Sequence, residues 1–297
     1  MKVWRVAGAG LVEGESEQPK PNDGEVLVRV RAAGVTPSEL VWYPTTHTKD
    51  GGERSGAAPG HEFSGDVSKV GNRATDLQVG LEVYGMNDWF ADGALAEYCI
   101  TRPEWIAPKP RSLSHAEAAS APIGALTAWQ GLFERGRLRS GERVLVHGGA
   151  GAVGLFAVQM AHAAGARVVT TVSGRDVEFV KALGADEAID YRAGSFEQRV
   201  GAVDMVFDTV GGETLTRSRA VLKPGGRLVT IAADASGAEG FFIVEARREE
   251  LVEMARQIDA GELMVFVSAE VPFAEAGRAY GAGVERRGPG KMVVTLK

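Results

Sequence analysis

Apolar and polar positions along this chain follow two different periods, and the change from one to the other divides it. From Met1 to about Pro110 the apolar runs are short and alternate with polar residues. GEVLVRVRAAGV places Arg29 and Arg31 between apolar neighbours, the period-two pattern of a half-buried strand. EFSGDVSKVG and LEVYGM are further runs of this kind, and glycine, proline or aspartate separates nearly all of them. The pattern predicts an antiparallel, barrel-like β domain. The stretch from Tyr43 to Pro59 shows neither period and reads as a long surface loop, the kind of segment that often carries function.

Near Ser112 the character changes. Ser114 and Glu117 form a capping-box pair ahead of an alanine-rich helix, with His115 as a solvated residue in its first turn. A second helix is expected over residues 126–134. From Arg143 onward strands alternate with helices: RVLVH, ARVVTTVS, EAIDY, VDMVFDTVG, RLVTIAA and a last strand around Phe241 to Val244. Six strands with helices between them predict an α/β domain with a parallel, doubly wound sheet and a ligand crevice at the carboxyl ends of its strands. The closing GKMVVTLK has no place in that order and is expected to return to the first domain.

Composition narrows the possibilities mainly by exclusion. The 297 residues are 44% hydrophobic and 24% charged, ordinary values for a globular chain. A formal net charge of −6, with no basic cluster beyond Arg247-Arg248 and Arg286-Arg287, argues against nucleic-acid and anionic-membrane partners. No apolar run reaches the ~18 residues of a membrane span. Cys99 is the single cysteine, which rules out an intrachain disulfide and a cysteine-rich zinc site, and its setting ALAEYCITR reads as a strand. A reducing, cytoplasmic setting is expected.

The chemistry centres on RVLVHGGAGAVG. A strand breaks into a turn in which Gly149, Gly151 and Gly154 satisfy G-x-G-x-x-G, and Val153, Phe156, Ala157 and Met160 then recur at helical spacing. Glycines let the backbone approach a ligand closely, while the helix N-terminus offers unsatisfied N–H groups and partial positive charge to a pyrophosphate. S-adenosylmethionine enzymes and plain glycine-rich turns also show the motif, but its place between strand and helix favours a dinucleotide. An acid about 20 residues further on normally reads a free ribose 2′-hydroxyl. Here the second strand ends in Ser173-Gly174-Arg175, a hydroxyl and a cation suited to a 2′-phosphate, and Asp176 stands one step into the next helix. NADPH is favoured over NADH. By the crevice rule, Thr209, Val210 and Gly211 after the fourth strand and Ala232 and Ala233 after the fifth lie beside the cofactor, with Ala152 and Val153 on its phosphate side.

Several stretches line up in order across nearly the whole chain: PGHEFSGDVSKVG, ALAEYC, LTAWQGLFERGRLRSGERVLVHGGAGAVGLFAVQMAHAAGARV, LGADEAIDYR, VFDTVGG and LKPGGRLV. Together they resemble the medium-chain dehydrogenase/reductase superfamily, and within it the zinc-less quinone oxidoreductase-like branch. The resemblance implies a GroES-like β-barrel catalytic domain over residues 1–123, a Rossmann domain over 124–250 and a return to the catalytic domain over 251–297. It implies NADP(H) in the cleft between the two domains, and commonly a homodimer. In zinc-dependent members three ligands hold the catalytic metal; the matching positions here are Thr36, His61 and Ile123, of which only His61 suits zinc, so no metal is expected. Without a Lewis acid, simple alcohols are poor substrates, whereas quinones and α,β-unsaturated carbonyls accept hydride with little help.

The resemblance also nominates individual residues. Thr36 and Thr127 match positions near the nicotinamide, Tyr191 a tyrosine that contacts the 2′-phosphate, and Lys291 a further cofactor contact. Tyr43 is the candidate general acid, since related enoyl reductases place a tyrosine in that region. Trp42, Tyr43, Trp89 and Phe90 are candidates for an aromatic wall around a flat substrate, joined by His61, which is either a structural histidine or a proton donor. The expected function is zinc-independent, NADPH-dependent hydride transfer to quinones or enones. The alternatives are an enoyl-thioester reductase of the same fold and a redox-inert NADPH-binding regulatory protein.

Overall fold

The computed structural model describes residues 1–73, 77–232, 237–281 and 283–297. The chain divides into two compact units, one formed by Met1–Ile123 with Ala246–Lys297 and the other by Gly124–Glu245.

The first unit begins with a hairpin of β1 (Lys2–Ala7) and β2 (Gly10–Glu15). Its main sheet takes in β3 (Val26–Gly34), β4 (Glu62–Val70), β5 (Glu82–Met86), β6 (Tyr98–Thr101) and β7 (Ile106–Pro108). Pairing is antiparallel throughout these five strands. The alternation of β3 has a direct outcome: Val26, Val28 and Val30 are fully buried, while Arg29 is exposed and Arg31 reaches Asp66 on β4 at 2.7 Å. Cys99 on β6 lies opposite Val28, buried, and desolvation pushes its thiol above the usual range. Val28, Phe63, Val83, Cys99 and Ile106 belong to one hydrophobic cluster, the core of this unit.

The capping box forms as expected, with Glu117 N–H donating to Ser114 Oγ and Ser114 N–H to the Glu117 carboxylate. His115 departs from the solvated position expected of it. It packs back onto the sheet, with Nδ1 2.8 Å from the buried Ser64 hydroxyl and Nε2 3.3 Å from Glu82, because the short helix His115–Ala119 lies against β3 and β4. The stretch after Tyr43 is likewise not all loop: a helical turn covers Tyr43–Thr46, anchored where the buried Thr45 hydroxyl donates to Glu39 O at 2.6 Å.

In the second unit β8 (Arg143–His147), β9 (Arg167–Val172), β10 (Glu187–Asp190), β11 (Val203–Asp208) and β12 (Leu222–Thr230) pair in the order β10-β9-β8-β11-β12. All pairings are parallel, so strand order reverses beside β8, at the point where the crevice of such a sheet opens. Among the described residues the sheet has five strands rather than the six expected. The sixth segment is reduced to a single parallel bridge, Thr230 to Phe241, in which Thr230 N–H donates to Gly240 O and Phe242 N–H to Thr230 O. Leu145, Val169, Ile189 and Val206 lie in the cluster beneath the sheet.

The chain ends in the first unit. There β13 (Val267–Pro272) runs parallel to β14 (Lys291–Thr295), and β14 pairs antiparallel with β3. No helix among the described residues is long and apolar enough to cross a membrane.

Candidate functional site

In the second unit a glycine-rich turn lies at the carboxyl ends of the strands. β8 ends at His147, and the turn that follows needs Gly148 at φ +75, a conformation L side chains rarely adopt. Gly149 and Gly154 are buried: a methyl group on Gly149 would stand 2.1 Å from Thr170 Oγ1, and one on Gly154 2.1 Å from the Gly148 carbonyl oxygen. Gly151 is exposed and Ala152 and Val153 half-buried, just ahead of the helix Gly154–Ala163. Two close approaches and one positive φ thus bend the chain, and Gly151 N–H closes the turn on Gly148 O at 2.9 Å, which leaves the start of the helix, at Ala152 and Val153, as the part that fits a pyrophosphate.

His147 ties this turn to its neighbours. The Ser218 hydroxyl donates to Thr214 O, so His147 Nε2 must donate to Ser218 Oγ at 2.9 Å, leaving Nδ1 to accept from Thr171 Oγ1 at 2.9 Å. With both nitrogens satisfied in the neutral form, burial pulls its pKa down to about 4. Thr209 donates to the His147 carbonyl at 2.8 Å, bringing the end of β11 against the glycine turn. Asp208, fully buried, accepts from the N–H groups of Val210 and Gly211 and from Thr230 Oγ1. It holds the 209–211 turn, with Val210 exposed, beside Ala232. Ala233 lies outside the described residues. Thr127 is buried within the helix Pro122–Trp129.

Ser173, Arg175 and Tyr191 gather at the tip of β9, where Tyr191 N–H donates to Val172 O. Arg175 is largely exposed and Tyr191 half exposed, its ring 5.3 Å from the Arg192 guanidinium. Asp176 intervenes: Ser173 Oγ donates to its carboxylate at 2.5 Å, and Arg175 lies 3.7 Å away. The groups suited to a 2′-phosphate are therefore present, with an acid engaging two of them and Arg192 adding a cation.

In the first unit, Thr36, His61 and Lys291 converge on a buried polar cluster. Lys291 donates to Thr36 Oγ1 at 3.0 Å and pairs with Glu62, whose other oxygen accepts from Ile123 N–H at 2.9 Å. Burial pushes the Glu62 carboxyl up, against the opposing pull of Lys291. His61 bonds Glu39 through Nδ1 at 3.0 Å. The aromatic candidates stand together: Trp42 meets Trp89 edge-on at 5.5 Å, Trp89 lies 5.3 Å from the His61 ring, and Tyr43 stacks on His47 and meets Phe90 edge-on. Tyr43 is 55% exposed.

A model of the alcohol dehydrogenase GroES-like domain matches residues 22–111, and one of the zinc-binding dehydrogenases matches residues 183–294. The 2-methylene-furan-3-one reductase of Solanum lycopersicum is 33% identical over 95% of this chain and 78% of its own length. The chain belongs to the medium-chain dehydrogenase/reductase superfamily. Another member, the chloroplastic NADPH-dependent alkenal/one oxidoreductase of Arabidopsis thaliana, is 30% identical over 99% of the chain and 79% of its own length. The solved quinone oxidoreductase of Coxiella burnetii superposes with a TM-score of 0.90 at 28% identity, covering 100% of this chain and 99% of that one.

Zinc chemistry of the superfamily does not fit this centre. Ile123 has no ligand atom, the Thr36 hydroxyl is committed to Lys291, and one imidazole does not hold a tetrahedral zinc. Among the described residues a single group of histidine and carboxylates is close enough to hold a metal, Asp66, Glu82 and His115, and Asp66 there already pairs with Arg31. Glu39, Tyr280, His147, Asp208 and Arg192 escaped the sequence reading. Asp208 had a signal, an acid ending an apolar strand just before a glycine pair; Tyr280 had none, 241 positions from the glutamate it bonds.

Proposed function

We propose that this chain is a zinc-independent oxidoreductase that uses NADPH to reduce quinones or α,β-unsaturated carbonyls. One observation carries the reading: a nucleotide cradle of the dehydrogenase type shares a chain with a first-unit centre in which two of the three positions that hold zinc in relatives offer no free ligand. When bound, the nicotinamide supplies a hydride. Gly151, Ala152 and Val153 would hold its pyrophosphate, Ser173, Arg175 and Tyr191 its 2′-phosphate, and the 209–211 turn with Ala232 would border it. Thr36 and Thr127 are assigned to its nicotinamide end, and Lys291 is a further cofactor contact. The unit of residues 124–245 carries cofactor binding in this reading and the other carries substrate, with Trp42, Tyr43, Trp89 and Phe90 shielding a flat acceptor from water.

NADPH oxidation by phenanthrenequinone, benzalacetone and crotonyl-CoA, each with and without chelator, tests the proposal. Chelator-insensitive turnover of the quinone or the enone supports it. Preference for the thioester would favour an enoyl reductase, and NADPH binding without turnover a regulatory protein. We extend the proposal to a homodimer, as the resemblance implies, in the reducing cytoplasm that the single cysteine suits, and light scattering on the eluted protein tests the dimer.

A further inference from the structure

One nitrogen in the first unit has been left without a partner. His61 is 2% exposed, and its Nε2 makes no hydrogen bond among the described residues. A buried polar atom in that condition is destabilising, a cost recovered when a ligand supplies the missing partner.

The rest of the ring is held, and the partners decide its tautomer. Glu39 Oε1 accepts from Gly60 N–H at 3.0 Å and from the Tyr280 hydroxyl at 2.6 Å. Burial and the adjacent Glu39 carboxylate keep the Tyr280 pKa well above its usual value, so this hydroxyl retains its proton and is the donor. Glu39 Oε2 faces His61 Nδ1 at 3.0 Å. A carboxylate accepting at both oxygens requires a proton on Nδ1, so Nε2 is a bare lone pair in the neutral ring and a free N–H in the imidazolium. The other charges of the cluster, Glu62 and Lys291, pair with each other. The Trp89 ring lies 5.3 Å from the His61 ring and is tilted 35° to it, and Trp42 meets Trp89 edge-on, so the imidazole adjoins an aromatic surface suited to a flat unsaturated carbonyl.

We propose that His61 is the proton donor of the reduction, with Glu39 and Tyr280 as positioning residues that fix its tautomer. The inference rests on the hydride-transfer reading above. An enone takes the hydride, two electrons and a proton's mass, at its β-carbon, and its carbon–carbon π pair moves to form an enolate. The enolate then takes the Nε2 proton, the N–H bond breaks, and a saturated ketone leaves. The neutral ring regains its proton from water, so NADPH, a proton and an enone yield NADP+ and a ketone. A quinone needs the donor less, because a hydroquinone anion is stable enough to be protonated by water. Tyr43, half exposed and stacked on His47, lacks this anchoring.

His61→Asn places an amide N–H near the former Nδ1 position, keeps a bond to Glu39 and removes the donor. The expected result is a fall in kcat for benzalacetone on the order of 100-fold, the range of general acid catalysis, with a fall for phenanthrenequinone at least tenfold smaller. Nitrogen-15 spectra of the histidines in the nucleotide-free protein give a readout independent of turnover: the neutral His61 ring should carry its proton on Nδ1. A neutral ring protonated at Nε2, or equal losses for the two acceptors, overturns the inference. Wild-type protein inactive towards both acceptors overturns the hydride-transfer reading itself, and this inference with it.

Discussion

Replacing Gly151 by alanine should separate nucleotide binding from folding. A methyl group there meets nothing nearer than the Gly148 carbonyl oxygen at 3.1 Å, a contact that a shift of a few tenths of an ångström relieves. Gly151 is also exposed, so the fold has little to lose. The methyl would, however, stand on the face where a pyrophosphate must approach the backbone. Losing one charge-assisted hydrogen bond to that phosphate costs about 1.5–3 kcal/mol, which is on the order of 10–100-fold in Kd. Gly154→Ala is the counterpart. Its methyl would lie 2.1 Å from the Gly148 carbonyl oxygen and 2.7 Å from Gly149 Cα, backbone atoms that yield only if the turn moves. Overpacking of this kind costs about 1–3 kcal/mol in stability. Fluorescence titration with NADPH and thermal melts of both variants provide the assay. Gly151→Ala should melt like the wild type and bind NADPH weakly, whereas Gly154→Ala should melt several degrees lower. Wild-type affinity in a normally melting Gly151→Ala variant would refute the assignment of this turn to the pyrophosphate.

The tip of β9 makes an opposed pair of predictions: Arg175→Ala should reduce the preference for NADPH over NADH by about tenfold or more, as loss of a charge-assisted contact implies. Asp176→Asn should raise it, by releasing Ser173 and Arg175; titrations with both cofactors check each. His147 makes stability depend on pH. Its folded pKa, about 4, lies below the ordinary value of 6.5, so the unfolded chain binds the proton more readily. Its contribution is complete above pH 6.5 and is lost as pH falls towards 4, a loss of up to about 3 kcal/mol. Melting curves across that window should fall steeply for the wild type and less so for His147→Asn. Dialysis against a strong chelator should leave enone turnover unchanged, which assays before and after dialysis will show.

Local patterns were legible in the sequence where a side chain's role depends on its own neighbours. The alternation of β3, the Ser114–Glu117 box and the glycine turn after β8 are local in this sense, and each appears in the structure. The sixth strand of the parallel sheet failed because Phe242 and Val244 are buried without extending a ladder: among the described residues the segment meets the sheet in one bridge, Thr230 to Phe241. His115 misled for the opposite reason, since a polar residue in a first helical turn is usually solvated, and only the fold brings Ser64 beneath it. The Glu39–His61–Tyr280 cluster joins three distant segments, and no spacing announces such a contact. Asp176 was visible as a helix-initiating acid, but its bond to Ser173 depends on how the turn closes.

The most direct test of the central claim follows the hydrogen itself. NADPH carrying deuterium at the transferable C4 position is incubated with the protein and benzalacetone, and the ketone product is examined by mass spectrometry and NMR. The account predicts one deuterium per product molecule, at the β-carbon, with or without chelator. Unlabelled ketone, or label at the α-carbon, would contradict it.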